Sequence, residues 1–279
     1  MKTCQITSTT SKDGTIIGTL NLFTEYDPSL NVEGLIDQFL EKIPHSEDMG
    51  YAGFGEKEYL KDSLMYNIPA NDDQKNIQSF SIPFQEIVPI IEKALDICHK
   101  YVDTSSTNIF LFPTFSDFVK EKMGGVSGYT PYKNTLLLFV SPTKTLHWER
   151  ALTETICHEF MHTVMDNHYE RANLLDDLIF EGIAESFVSF HFGERVDMPS
   201  QALSEQDALE WLKKIKEHFS STELYYPVFL EGKEYPLWTG YAVGYRLVEA
   251  YKKQHSQLTW NEMVRLTPKE IFSESGLNI

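Results

Sequence analysis

The segment His158-Glu159-Phe160-Met161-His162 constrains this chain more than any other. Two imidazoles separated by three residues converge on one point when the backbone is helical, because positions i and i+4 share a helix face. Glu159 is then turned about 100° from His158. From there it reaches a water molecule beside an ion held by the histidines rather than the ion itself. Leu152, Ile156, Phe160 and Val164 recur every four residues on the opposite side. The spacing therefore predicts an amphipathic helix over 148–167, buried on one face. Two surface histidines on an ordinary helix are the plainer alternative.

A catalytic zinc takes three protein ligands and leaves a fourth position to water. Beyond residues 163–180 comes Glu181-Gly182-Ile183-Ala184-Glu185-Ser186-Phe187, inside a second expected helix at 174–191. Its core stripe is Leu174, Leu175, Leu178, Ile179, Phe187 and Val188. An acid placed as Glu181 is, amid Leu178-Ile179-Phe180 and Ile183-Ala184, is costly to bury alone, and a metal partner removes that cost. Asn173 suits the N-cap of this helix, and Asp176 and Asp177 its first turn. Glu185, one turn beyond Glu181, is a candidate hydrogen-bond partner for the far nitrogen of a ligand histidine. Mixed histidine and carboxylate ligation makes one Zn²⁺ per chain the default metal.

The rest of the chain frames these helices. Two β-rich runs flank Lys12-Asp13-Gly14-Thr15, and Asp-Gly between such runs predicts a hairpin. Residues 33–43 and 84–101 have helical periodicity, whereas 44–82 is polar and supports no firm assignment. Asn108 to Phe112 and Thr135 to Val140 read as buried strands. The stretch Gly124-Gly125-Val126-Ser127-Gly128-Tyr129-Thr130-Pro131 suits an edge segment. Helices are expected at 204–219 and from Thr239 to Lys253, with an aromatic loop through Tyr225, Tyr226, Tyr235 and Trp238 between them. Strands first and helices later point to an α+β chain.

Charge narrows the partners. Twenty-four basic against 41 acidic side chains leave −17. Nucleic-acid binders concentrate Lys and Arg, so neither a polyanion nor an anionic membrane surface is an expected partner. The three cysteines, Cys4, Cys98 and Cys157, form no disulfide pattern. Without a long apolar stretch or signal-like start, a cytoplasmic protein is expected.

HEFMH, the eighteen-residue spacer and EGIAESF together resemble the gluzincin metallopeptidases, which include thermolysin-like enzymes and the zinc aminopeptidases. A closer resemblance is to the DUF2268 family of Zn-dependent proteases (YjaZ-like). It runs from the helix near residue 84, through Gly124 to Tyr129 and the motif, to Gly240-Tyr241-Ala242-Val243-Gly244-Tyr245. The resemblance implies a zincin-like (thermolysin-like) catalytic fold over 84–279, behind an N-terminal α+β region at 1–83 of unassigned role. In that fold a mixed sheet lays its edge strand over the HExxH helix, and the C-terminal lobe is mainly helical. It further implies His158, His162 and Glu181 as zinc ligands and Glu159 as general base. Tyr241 or Tyr245 would stabilise the oxyanion.

His168 competes for the third ligand position, because its spacing from His162 is that of the metzincins. There a glycine breaks the helix, but Met165 occupies the glycine's place here and favours continuing it. Aminopeptidases of the gluzincin type carry a substrate-anchoring glutamate in the glycine-led segment before the motif. Gly124 to Thr130 has no acid. An endopeptidase acting on a peptide or protein is therefore favoured over an aminopeptidase. The alternative is a catalytically inactive zinc-binding regulator or chaperone-like protein on the same fold; the oligomeric state stays open.

Overall fold

The structure, a computed structural model, describes residues 6–10, 16–20, 32–40, 56–68, 84–103, 107–132, 134–142, 144–168, 170–193 and 198–277. Two compact units emerge, residues 1–97 with 104–159 and residues 98–103 with 160–279. The division falls between Glu159 and Phe160, inside one continuous helix.

The first unit is built on a five-stranded mixed sheet in the order β1-β2-β3-β5-β4. Its strands are β1 (Ile6–Thr10), β2 (Ile16–Leu20), β3 (Asn108–Pro113), β4 (Val126–Tyr132) and β5 (Thr135–Val140). β1 and β2 pair antiparallel, as the Asp-Gly signal predicts; the turn itself lies outside the described residues. β2 joins β3 in parallel, so the early hairpin and the later strands share one sheet. β3 and β5 also pair in parallel. All six residues of β5 are buried, which is why its run is apolar throughout rather than alternating. β4 closes the sheet as an antiparallel edge strand against β5. Its register slips between Tyr129, opposite Leu137, and Tyr132, opposite Thr135. Thr130 and Pro131 thus share the place opposite Leu136, a bulge of the kind that bends an edge strand and re-aims a side chain. Pro131, with no N–H to donate, is tolerated at such a position.

Among the described residues, three helices stand between β2 and β3: α1 (Val32–Leu40), α2 (Glu56–Asn67) and α3 (Phe84–Cys98). Helix α2 forms where the sequence supports no assignment. Among the described side chains its buried stripe is Leu60 and Leu64, continued by Ile68 just beyond the helix. One apolar residue per turn gives little periodic signal but suffices when the core receives it.

A short helix α4 (Asp117–Lys122) precedes β4, and α5 (Trp148–Met165) carries the histidine motif. The expected amphipathic character of α5 needs correction. Leu152, Ile156, Phe160 and Val164 are buried, but so are Cys157, Met161 and Met165 on other faces. Buried on nearly every side beyond its first turn, α5 is a core helix, and Glu154, Glu159, His162 and Thr163 sit in the interior with it.

In the second unit, α6 (Leu174–Phe192) is buried without interruption from Leu178 to Val188. Asn173 caps it through its side chain and the Asp176 N–H, as its position suggests. Helix α7 (Glu205–Ile215) ends in a 3₁₀ turn, Lys216–His218. Helix α8 (Thr239–Gln254) crosses α6 closely: a Cβ on Gly182 would lie 2.3 Å from the Gly244 carbonyl oxygen, and one on Gly244 2.0 Å from that of Leu178. Only glycine permits that approach. Two short helices, α9 (Trp260–Met263) and α10 (Pro268–Glu274), follow, each opened by a Thr-x-x-Glu capping box. The expected aromatic loop is partly helical, since Pro227–Glu231 is wound with π geometry just after Tyr225. No helix of the described residues is long and apolar enough to cross a membrane.

Candidate metal centre

Continuity of α5 through the motif brings His158 and His162 onto one face, and α6 supplies a carboxylate. One ligand atom each from His158, His162 and Glu181 lies within 4.8 Å of the others. Among the described residues this is the group of that kind able to hold a metal ion. His162 Nε2 stands 3.2 Å from a Glu181 carboxylate oxygen. Ligands about 2.0–2.1 Å from a tetrahedral zinc stand roughly 3.3–3.4 Å apart, so this pair already has the separation of two zinc ligands. His162 and Glu181 are 5% and 4% exposed, and His158 is half-buried. Two neutral imidazoles and a carboxylate are a donor set that suits zinc. His168 does not join the group: it is exposed beyond the end of α5, and burial followed by Arg265 holds its imidazole below the usual value.

Several residues around the carboxylate and the histidines carry no sequence motif. The His162 ring stacks on Phe180 with centroids 4.1 Å apart and planes within 2°. The Arg171 guanidinium lies 4.2 Å from the centre of the Phe180 ring. Burial pulls Arg171 down, but the nearby carboxylates of Glu181 and Asp177 outweigh it and leave its pKa raised. Arg171 also lies 3.5 Å from Asp177, so α6 meets a cation at its first turns. The Tyr225 hydroxyl donates to Glu181 at 3.3 Å. Burial first, and the Glu181 charge next, push that phenol well above its usual value, so it stays a neutral donor.

The two tyrosines expected from the resemblance part company. Tyr241 hydrogen-bonds Tyr225 and packs edge-on against Phe229. The hydroxyl of Tyr245 is 3.2 Å from Ser189 Oγ, two turns beyond Glu181 on α6. Gly240, whose added Cβ would lie 2.5 Å from the Phe229 ring, lets the start of α8 approach that aromatic. Glu185 is buried at 4% exposure one turn after Glu181. Tyr225 and Arg171 escape notice in the sequence because nothing in their spacing ties them to the motif. A π-wound segment beside an acid is the structural signal, since such segments gather at functional sites.

Glu159 is 6% exposed and anchored from the sheet. The Thr130 hydroxyl of β4 lies 2.8 Å from Glu159 Oε2 and 3.1 Å from its backbone carbonyl oxygen. Gly128, two residues earlier on the same face of the strand, has no Cβ; one built there would lie 2.3 Å from Glu159 Cγ and 2.7 Å from Oε1. The edge strand and the motif glutamate are therefore fitted to each other at the level of single atoms.

The family described as "Predicted Zn-dependent protease (DUF2268)" matches residues 87–273. An uncharacterized protein of Bacillus subtilis (strain 168), YjfC, is 33% identical over 139 residues, which is 44% of this chain and 46% of the relative. The match thus spans about half the length of that relative. No solved structure matches. The family match covers most of the chain and includes His158, Glu159, His162 and Glu181, and on that ground the chain belongs to the DUF2268 family.

Proposed function

We propose that the chain is a zinc-dependent peptidase on a zincin-like fold, with His158, His162 and Glu181 as ligands of one Zn²⁺. The observation that carries this reading is the convergence of those three side chains within 4.8 Å beside a buried glutamate. When bound, zinc supplies Lewis acidity that polarises a carbonyl and lowers the pKa of a water to about 7. Glu159 accepts the proton of the attacking water and delivers it to the leaving amine, so the C–N bond breaks without expelling an amide anion. Tyr241 or Tyr245 was expected to stabilise the oxyanion; Tyr241 has the better claim, through its hydrogen bond to Tyr225 beside Glu181. Glu185 supports a ligand histidine.

Peptide binding as an added strand along β4 fits an antiparallel edge with no neighbour in the sheet order. The segment from Val126 to Tyr132 carries no carboxylate to hold a free amino terminus, which favours internal cleavage. The test is turnover of unfolded casein and of a quenched peptide library by zinc-loaded protein. Glu159→Gln should abolish hydrolysis while retaining about one zinc per chain. Glu181→Ala should lose zinc. Full hydrolysis by the Glu159→Gln variant would sink the peptidase reading; zinc retained in Glu181→Ala would overturn the ligand set.

A further inference from the structure

We infer that Thr130 is a positioning residue for the general base, an inference that rests on the peptidase reading above. A glutamate can act as base only if one carboxylate oxygen is presented to the water at a fixed angle. On a helix the Glu159 side chain has three rotatable bonds to be fixed, and β4 supplies a contact that does so. Thr130 is 8% exposed, and its Oγ1 lies 2.8 Å from Oε2 and 3.1 Å from the Glu159 carbonyl oxygen. Its one proton is thus shared between the carboxylate and the backbone of the same residue, which ties the far end of the side chain to its origin.

Gly128 completes the device. The space that its Cβ would fill is taken by Cγ and Oε1 of Glu159. Oε2 is therefore the oxygen that Thr130 holds, while Oε1 lies over the bare glycine. One strand serves both ends because Gly128 and Thr130, two residues apart, share a face of β4, and the register slip begins only at Thr130-Pro131.

The test uses zinc-loaded full-length protein with zinc content, melting temperature, kcat and KM measured together on the quenched peptide library and on casein. Thr130→Val keeps the shape and removes the donor; Thr130→Ser keeps the hydroxyl. The expected result is a fall in kcat of about tenfold or more in Thr130→Val, with KM within about twofold and one zinc retained. Thr130→Ser should recover most of that loss, which a purely structural role would not require. Should Thr130→Val fail to fold, Thr130→Ala replaces it as the variant without a donor. Gly128→Ala, which keeps the hydroxyl and crowds Oε1, should lower kcat in the same way. A donor-free variant with zinc bound and kcat within twofold of wild type would overturn the Thr130 role and leave the peptidase reading standing. Zinc-bound wild type with no turnover of either substrate would overturn both.

Discussion

A carboxylate buried as deeply as Glu181 has to be compensated, and the structure surrounds it with three kinds of partner. It has His162 at 3.2 Å, the Tyr225 hydroxyl at 3.3 Å and the field of Arg171. Tyr225 is the partner that would orient the carboxylate toward a metal. A hydrogen bond to a ligating carboxylate typically changes metal affinity by about 10–100-fold. Tyr225→Phe should accordingly weaken zinc binding by about tenfold while leaving the fold intact, as read by competition with a chromophoric chelator. An unchanged affinity would mean that the hydroxyl serves the packing around Phe229, on which the Tyr225 ring stacks at 4.7 Å, and not the carboxylate. Phe180 works differently. It lies between the His162 ring and a guanidinium, so its ring can hold the imidazole plane by stacking from one side.

Among the elements, the crossing of α6 and α8 is the contact with the least tolerance. Gly182 and Gly244 meet backbone to backbone, and the nearest atoms to an added Cβ are carbonyl oxygens that cannot swing away. Gly244→Ala should therefore destabilise the protein by about 2–4 kcal/mol, at the upper end of what overpacking costs, because the helices must separate to admit the methyl. Chemical denaturation of the zinc-free protein measures it, and a loss under about 1 kcal/mol would show that the helices slide apart readily. The same separation would shift the Glu181 turn, since Gly182 follows it directly. Elsewhere the elements follow local rules. Thr259 and Thr267 each accept the N–H three residues on, while the glutamate there reaches back to the threonine N–H. Those Thr-x-x-Glu patterns are readable in the sequence, yet the helices they open are four and seven residues long, too short to show a period.

For the molecule as a whole, the acidic balance of −17 meets a buried exception at Asp177. Burial, only partly offset by Arg171, pushes the pKa of this carboxyl up from 3.8 to about 6. The folded protein then holds a proton between about pH 4 and 6 that the unfolded chain has released. Stability from this group is therefore greatest at the acid end, falls as pH rises through that window, and is level above it. The full shift corresponds to at most about 3 kcal/mol. In urea unfolding with chelator present, Asp177→Asn should gain on wild type from pH 4 to 6 and hold a constant difference beyond. Parallel curves across the window would show that Asp177 is ionised throughout.

What the sequence determined is local. The helix of the motif, the pair of histidines on one of its faces, the N-cap at Asn173 and the apolar strands follow from spacing and side-chain type, which act over a few residues. The edge strand is legible too, because glycines and a proline suit a position with few pairing demands. Everything that joins distant parts of the chain was decided by tertiary structure. Thr130 and Glu159 are 29 residues apart, Glu181 and Tyr225 are 44 apart, and no periodicity links them. Helix α5 reads as amphipathic from its strongest stripe, yet it is buried on nearly every side beyond its first turn, because burial is set by what packs on a helix rather than by its own pattern. Helix α2 reads as nothing, since Leu60, Leu64 and the following Ile68 matter only when a core receives them. The sequence therefore names the candidate ligands, and only the fold shows which side chains hold them and the base in place.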